Sequence, residues 1–93
     1  MDIRILHYFV TIAQEKNITR AAERLLITQP TLSRQLKELE EELGVSLFHR
    51  ANREMTLTED GQYLYNRAQE ILQLVSKTEE NLTRKDEIGG DLY

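Results

Sequence analysis

The chain has 93 residues, no cysteine and a net charge of −4; 40% of its residues are hydrophobic and 30% are charged. This composition is ordinary for one small globular domain, and the lack of cysteine excludes disulfides and cysteine-based metal sites. Neither a membrane-length apolar run nor the basic-then-apolar layout of a signal peptide is present, so the expected location is the cytoplasm.

Two helices are predicted in the first third of the chain. Asp2 is a favourable N-cap, and the apolar residues after it recur at the spacing of a half-buried helix, which predicts a helix over 3–16. Asn17 suits the left-handed backbone that ends such a helix. Thr19 is then the predicted cap of a short helix over 20–26, in which two alanines would let another helix approach closely.

A third helix is predicted over 29–43, with clearly different inner and outer faces. Pro30 suits its first turn, Thr28 or Gln29 is the expected cap, and Gly44 is expected to end it. The inner face is a seam of leucines: Leu32, Leu36, Leu39 and Leu43. The outer face carries Pro30, Ser33, Arg34 and Lys37. The acidic run at 40–42 lies at the far end, where it would keep that end away from phosphates.

A small hairpin and one long helix are predicted to follow. Two short runs within 47–57 predict the hairpin, with Asn52 in its turn. The helix is predicted over 58–85, and Gly89 and Gly90 are expected to break it. Its apolar residues form a heptad-like seam: Leu64, Ala68, Ile71, Val75, Thr78 and Leu82. A helix of about 42 Å is too long to be covered by the preceding residues, which favours a second copy as partner over an ordinary core-facing stripe.

A short helix, a tight turn and a second helix with an outward polar face are the plan of a helix-turn-helix that binds DNA. The charges agree, because 16–53 carries seven basic and five acidic side chains, whereas 58–93 carries four basic and eight acidic ones. Base edges would be contacted by Gln29, Pro30, Thr31, Ser33 and Arg34. Phosphates would be contacted by Arg20 and Lys37, and a minor groove by Arg50 and Arg53. The alternative is that these are ordinary solvated side chains.

Four segments carry a family resemblance: NITRAAERL at 17–25, TQPTLSRQLKELE at 28–40, LGVSLFHR at 43–50 and LTEDG at 57–61. Together they resemble the LysR-type transcriptional regulators, and the resemblance extends over residues 1 to about 90. It implies a mainly α fold, in which a winged helix-turn-helix of three helices and a short β-hairpin wing precedes a long linker helix. It also implies that double-stranded DNA is the partner, and it adds Thr19 and Thr28 to the residues that contact the DNA backbone.

The resemblance further implies three parts: a DNA-binding domain at 1–57, a linker helix at 58–87 that pairs antiparallel in a homodimer, and a hinge at 88–93. Family members continue into a larger domain that binds a small-molecule inducer. The chain is therefore expected to be a piece of a longer protein rather than an unusually short natural one, although both stay open, and an inducer would act only through the absent domain.

Other functions fit the residues less well. His7 and His49 begin no metal-ligand pattern and no glycine-rich phosphate loop is present, so neither an enzyme nor a metal or cofactor site is expected. A protein-interaction module stays open because of the heptad-like seam and the negative charge. A winged helix of the MarR type stays open too, although such domains usually place the motif deeper in the chain.

Overall fold

The part of the chain described by the computed structural model consists of four helices and one β-hairpin. The backbone is described for residues 1–51 and 54–92, and the side chains for the same residues up to 84. In chain order the elements are α1 (Ile3–Glu15), α2 (Ile18–Leu25), α3 (Gln29–Leu43), β1 (Phe48–Ala51), β2 (Glu54–Leu57) and α4 (Glu59–Leu92). The first three helices pack together, and α4 packs mainly against α1. This arrangement confirms the predicted winged helix-turn-helix followed by a long helix.

Helix α2 begins two residues earlier than the sequence predicts. Its cap is Asn17, whose side chain accepts a hydrogen bond of 2.9 Å from the backbone N–H of Arg20. The prediction that Thr19 is the cap is therefore wrong. Asn17 is free for this role because Lys16 takes the left-handed position that ends α1, with a φ of 56°.

Helix α3 has the bounds that the sequence predicts. Thr28 caps it, Pro30 stands in its first turn, and Gly44 ends it with a φ of 72°, a left-handed backbone that glycine adopts without strain. The buried residues of its inner face are Leu32, Leu36 and Leu39. Leu43 is 38% exposed, so the predicted inner face is confirmed except at the last turn.

The core lies between the three shorter helices, the hairpin and the start of α4. The buried hydrophobic residues come from all of these elements: Leu6, Phe9, Val10, Ile12, Ala21, Ala22, Leu32, Leu36, Leu39, Leu47, Phe48, Met55 and Ala68. The ring centroids of Phe9 and Phe48 lie 5.4 Å apart, within the range of favourable aromatic pairs. In addition, the backbone N–H of Met55 donates to the carbonyl of Lys16 at 3.0 Å. The hairpin is therefore fixed to the helices by both packing and hydrogen bonding.

Helix α4 is longer than predicted, because it continues to Leu92. The predicted break at Gly89 and Gly90 is therefore wrong. A glycine inside a helix is about 1 kcal/mol less favourable than alanine, which weakens a helix without necessarily ending it. Within the described residues, no helix is long and apolar enough to cross a membrane.

Leu26, which ends α2, combines a left-handed backbone with a side chain that is 90% exposed. Its φ is 60°, a conformation that disfavours an L-residue with a Cβ by about 1–2 kcal/mol. Glycine avoids this strain, but it lowers the free energy of unfolding by about 0.4–1 kcal/mol because it gives the unfolded chain more conformational freedom. We expect Leu26→Gly to raise the free energy of unfolding by about 0.5–1 kcal/mol in urea denaturation.

Leu26→Ala is the matched control for this substitution. Alanine removes the same exposed side chain but keeps the Cβ, so its free energy of unfolding should stay within about 0.5 kcal/mol of the original chain. A glycine variant no more stable than the alanine variant would show that the backbone at this position is unstrained.

Candidate nucleic-acid interface

The outer face of α3 opens toward solvent over its first turns. Pro30, Arg34 and Lys37 are exposed. At 100° per residue, Arg34 lies roughly 170° around the helix from the centre of the leucine seam. The half-buried members of the predicted contact set are Gln29, Thr31 and Ser33. The leucines thus anchor the helix from behind, and the groups predicted to meet bases are accessible.

Two pairs of predicted contact residues bond to each other along this face. The side-chain amide of Gln29 donates to the hydroxyl of Ser33 at 2.7 Å. The hydroxyl of Thr28 donates to that of Thr31 at 2.8 Å. In the free protein these four side chains are therefore hydrogen-bonded within the chain. Because one hydrogen bond can be exchanged for another at little net change in free energy, both pairs remain able to bind a ligand.

A groove of about 1070 Å³ separates α3 from the hairpin. Gln29, Ser33 and Lys37 line it from α3, Thr19 lines it from the start of α2, and Arg50 lines it from the hairpin. The structure therefore brings five of the predicted contact residues around one groove. The other described contact residues lie outside its lining: Arg20, Thr28, Pro30, Thr31 and Arg34.

The basic side chains divide into paired and unpaired ones. Arg24 is paired, because its guanidinium donates to Gln14 at 2.9 Å and to Glu15 at 3.1 Å, which fastens α2 to α1. Three basic residues near the predicted interface form no ion pair with any described residue: Arg20, Arg34 and Lys37. These three charges of the predicted contact set are therefore available to an anionic partner.

The sequence analysis missed the role of Glu40. One carboxylate oxygen of Glu40 accepts a 2.7 Å bond from the backbone N–H of Leu47, and the other accepts a 2.9 Å bond from the guanidinium of Arg50. The Glu40 side chain is only 12% exposed. It is therefore a structural link between α3 and the hairpin rather than part of a solvated acidic run. Its place beside the leucine seam, four residues after Leu36, was the available signal.

The hairpin is the predicted wing, and one of its two arginines lies within the described residues. Its strands are antiparallel, with Phe48 opposite Leu57 and Arg50 opposite Met55. Arg50 is half exposed, although its charge is paired with Glu40. Asn52 and Arg53 lie outside the described residues, so the contact predicted for Arg53 stays a prediction.

The predicted seam of α4 divides into two parts. Ala68 is fully buried and Leu64 packs against the same core, so α1 and its neighbours already cover this end of the seam. Further along, Ile71 is 37% exposed and Leu82 is 57% exposed. Leu74, which was not assigned to the seam, is 65% exposed. Beyond the part of α4 that is packed within the chain, four aliphatic residues and one threonine, all exposed or half-buried, form an outer stripe: Ile71, Leu74, Val75, Thr78 and Leu82.

An exposed polar helix face, a tight turn before it and a wing beside it define a winged helix-turn-helix domain. Residues 3–62 match the family model described as bacterial regulatory helix-turn-helix protein, lysR family. The chain therefore belongs to the LysR family of bacterial regulators.

Individual relatives agree with this assignment. The chain is 60% identical over 73 residues to the HTH-type transcriptional regulator BsdA of Bacillus subtilis (strain 168), a match that covers 77% of this chain and 25% of BsdA. It thus spans about a quarter of the length of that relative. The solved complex of the BenM DNA-binding domain with catB site 1 DNA superposes with a TM-score of 0.88 and 40% identity, covering 91% of this chain and 94% of that one. The complex of the CbnR domain with DNA gives a TM-score of 0.84 and 36% identity, covering 90% and 97%.

Proposed function

We propose that this chain is the part of a LysR-type transcriptional regulator that binds double-stranded DNA sequence-specifically, with α3 in the major groove. The observation that carries the proposal is the exposed polar face over the first turns of α3, held outward by the buried leucines. The likeness to solved domains in complex with DNA supports it.

Each group on α3 has a suitable partner on duplex DNA. Arg34 can donate two bonds to guanine, and Gln29 can form two bonds with adenine once it exchanges its bond to Ser33. Pro30 and Thr31 can contact a thymine methyl group. Sequence would be recognised through these groups: Gln29, Pro30, Thr31, Ser33 and Arg34. Register would be set by backbone contacts from Thr19, Arg20, Thr28 and Lys37, with Arg50 and Arg53 on the wing side.

The proposed active form is a homodimer that uses the outer stripe of α4. Of the seam predicted from the sequence, Leu64 and Ala68 are packed within the chain itself, and the accessible part is Ile71, Val75, Thr78 and Leu82, joined by Leu74. Two copies would present two recognition helices to two half-sites. We place the protein in the cytoplasm, without catalytic activity, and assign any inducer to a domain outside this chain.

Selection of bound duplexes from a random pool by the 93-residue chain tests this function. We expect enrichment of two related half-sites whose centres lie about 34–36 Å apart, or a multiple of that distance. Arg67→Ala is a suitable control, because Arg67 is exposed on α4 and pairs only with Glu70 among the described residues, so this variant should select the same sites. No enrichment at moderate salt would favour the protein-interaction module, and enrichment of single half-sites would refute only the dimer.

A further inference from the structure

The Glu40–Arg50 pair joins the proposed recognition helix to the wing at the groove, which both residues line. We infer that Glu40 is a positioning residue for DNA binding, which holds the Arg50 guanidinium in one orientation at the groove and thereby favours specific over non-specific duplexes. This inference rests on the proposed function and names a determinant of its specificity.

The two bonds of Glu40 have separable requirements. The bond from the Leu47 N–H needs only an acceptor oxygen, which a glutamine side chain also provides. The bond from Arg50 gains from the opposite charges of its two partners. The Glu40 side chain is only 12% exposed, and a carboxylate loses more hydration on burial than an amide does. Capping of the Leu47 N–H alone does not require that charge, whereas the ion pair with Arg50 does.

Because Arg50 is paired with Glu40, it contributes an oriented hydrogen-bond donor group rather than a net positive charge. Arg50 is the outer partner, with 54% of its side chain exposed, and the bond to Glu40 uses one of the five N–H donors of its guanidinium. The remaining donors are available to DNA without a further loss of side-chain freedom. At a distance the two charges nearly cancel, so the pair adds little to the sequence-independent attraction of phosphates. The gain in affinity is therefore confined to duplexes that place a phosphate or a base within hydrogen-bond distance of the oriented Arg50 guanidinium.

Glu40→Gln separates the two roles, and Glu41→Gln is its matched control. Glu41 is the next residue on α3, lines the same groove and forms no ion pair with any described residue. Both variants remove one negative charge from the groove, so both should bind random-sequence duplex slightly more tightly at about 0.1 M salt. Only Glu40→Gln releases Arg50. We expect it to lower the ratio of specific to non-specific affinity about three- to tenfold relative to Glu41→Gln, with the duplex selected by the original chain as the specific probe.

A double-mutant cycle distinguishes positioning from a general effect on the fold. If Glu40 acts through Arg50, adding Glu40→Gln to Arg50→Gln should leave the affinity ratio unchanged. Thermal unfolding of each variant identifies any loss of folded protein. Equal affinity ratios for Glu40→Gln and Glu41→Gln, or full additivity in the cycle, would overturn the inference.

A measurement without DNA keeps this inference apart from the proposed function. The side-chain ¹⁵N signal of Arg50 should report a rigid guanidinium in the original chain and in Glu41→Gln, and a mobile one in Glu40→Gln. If the original chain prefers no duplex, the proposed function fails, whatever the signal shows. If Arg50 is equally mobile in all three proteins, the positioning role is wrong even when specific binding is found.

Discussion

Gly61→Ala is expected to destabilise the fold by about 2–3 kcal/mol, because overpacking and a lost hydrogen bond outweigh the better helix propensity of alanine. A Cβ at position 61 would lie 2.0 Å from the carbonyl oxygen of Leu47 and 3.1 Å from a methyl carbon of Leu57. That same carbonyl accepts a 3.0 Å bond from the N–H of Thr58. Because the atom in the way is a backbone oxygen, it cannot rotate aside as a side chain can. The clash is removed only if α4 moves away from the segment before the wing.

The measurement is thermal and urea unfolding of the variant beside the original chain. For a chain of this size the expected loss corresponds to a fall in Tm of about 10–20 °C. Gln62→Ala is the control, because Gln62 is the exposed neighbour of Gly61 on the same helix and should change the stability by no more than about 0.5 kcal/mol. A Gly61→Ala variant as stable as this control would mean that α4 does not approach Leu47 so closely.

Arg34→Ala is expected to weaken binding to the selected duplex by about 1–3 kcal/mol and to relax the preference at one base pair. Arg34 is exposed and forms no ion pair with any described residue, so its removal should leave the fold intact. The loss would thus reflect the missing contact with a base rather than a damaged domain. Titrations of the selected duplex and of its single-base variants measure both effects.

Lys37→Ala and Arg67→Ala are the comparisons for this prediction. Lys37 lies on the same helix face but would contact a phosphate, so its loss should weaken all duplexes alike and reduce the salt slope by about 1. Arg67→Ala removes a guanidinium from α4 instead of α3 and should leave the base preference unchanged. Unaltered affinity and specificity after Arg34→Ala would refute the assignment of α3 as the recognition helix.

Local signals were sufficient to predict the bounds of α3. Thr28, Pro30 and Gly44 each act on the nearest turn of backbone, and Gln29, the other cap considered, would move the start of the helix by only one residue. At the start of α2 two capping residues compete. The outcome depends on Lys16, which takes a left-handed backbone where Asn17 was the residue expected to do so.

The accessible face of α3 could also be predicted, because helical periodicity fixes which side the leucines cover. The Glu40–Arg50 pair could not, since the two residues are ten apart and meet only after the chain reverses beyond Gly44. The seam of α4 shows a related limit. Periodicity identifies Ala68 as covered, but not whether the cover is the same chain or a second one.

Helix α4 is held in the core of the domain at its start and extends well beyond it. Leu72 is the last of its residues packed against that core, and the helix continues to Leu92, roughly 30 Å further on. A tilt of about 10° at Leu72 would swing the far end through about 5 Å, more than the rise of one base pair. In the proposed dimer, a bulkier side chain in place of Ala68 is therefore expected to change the distance between the two DNA-binding heads, while the residues predicted to contact DNA stay the same.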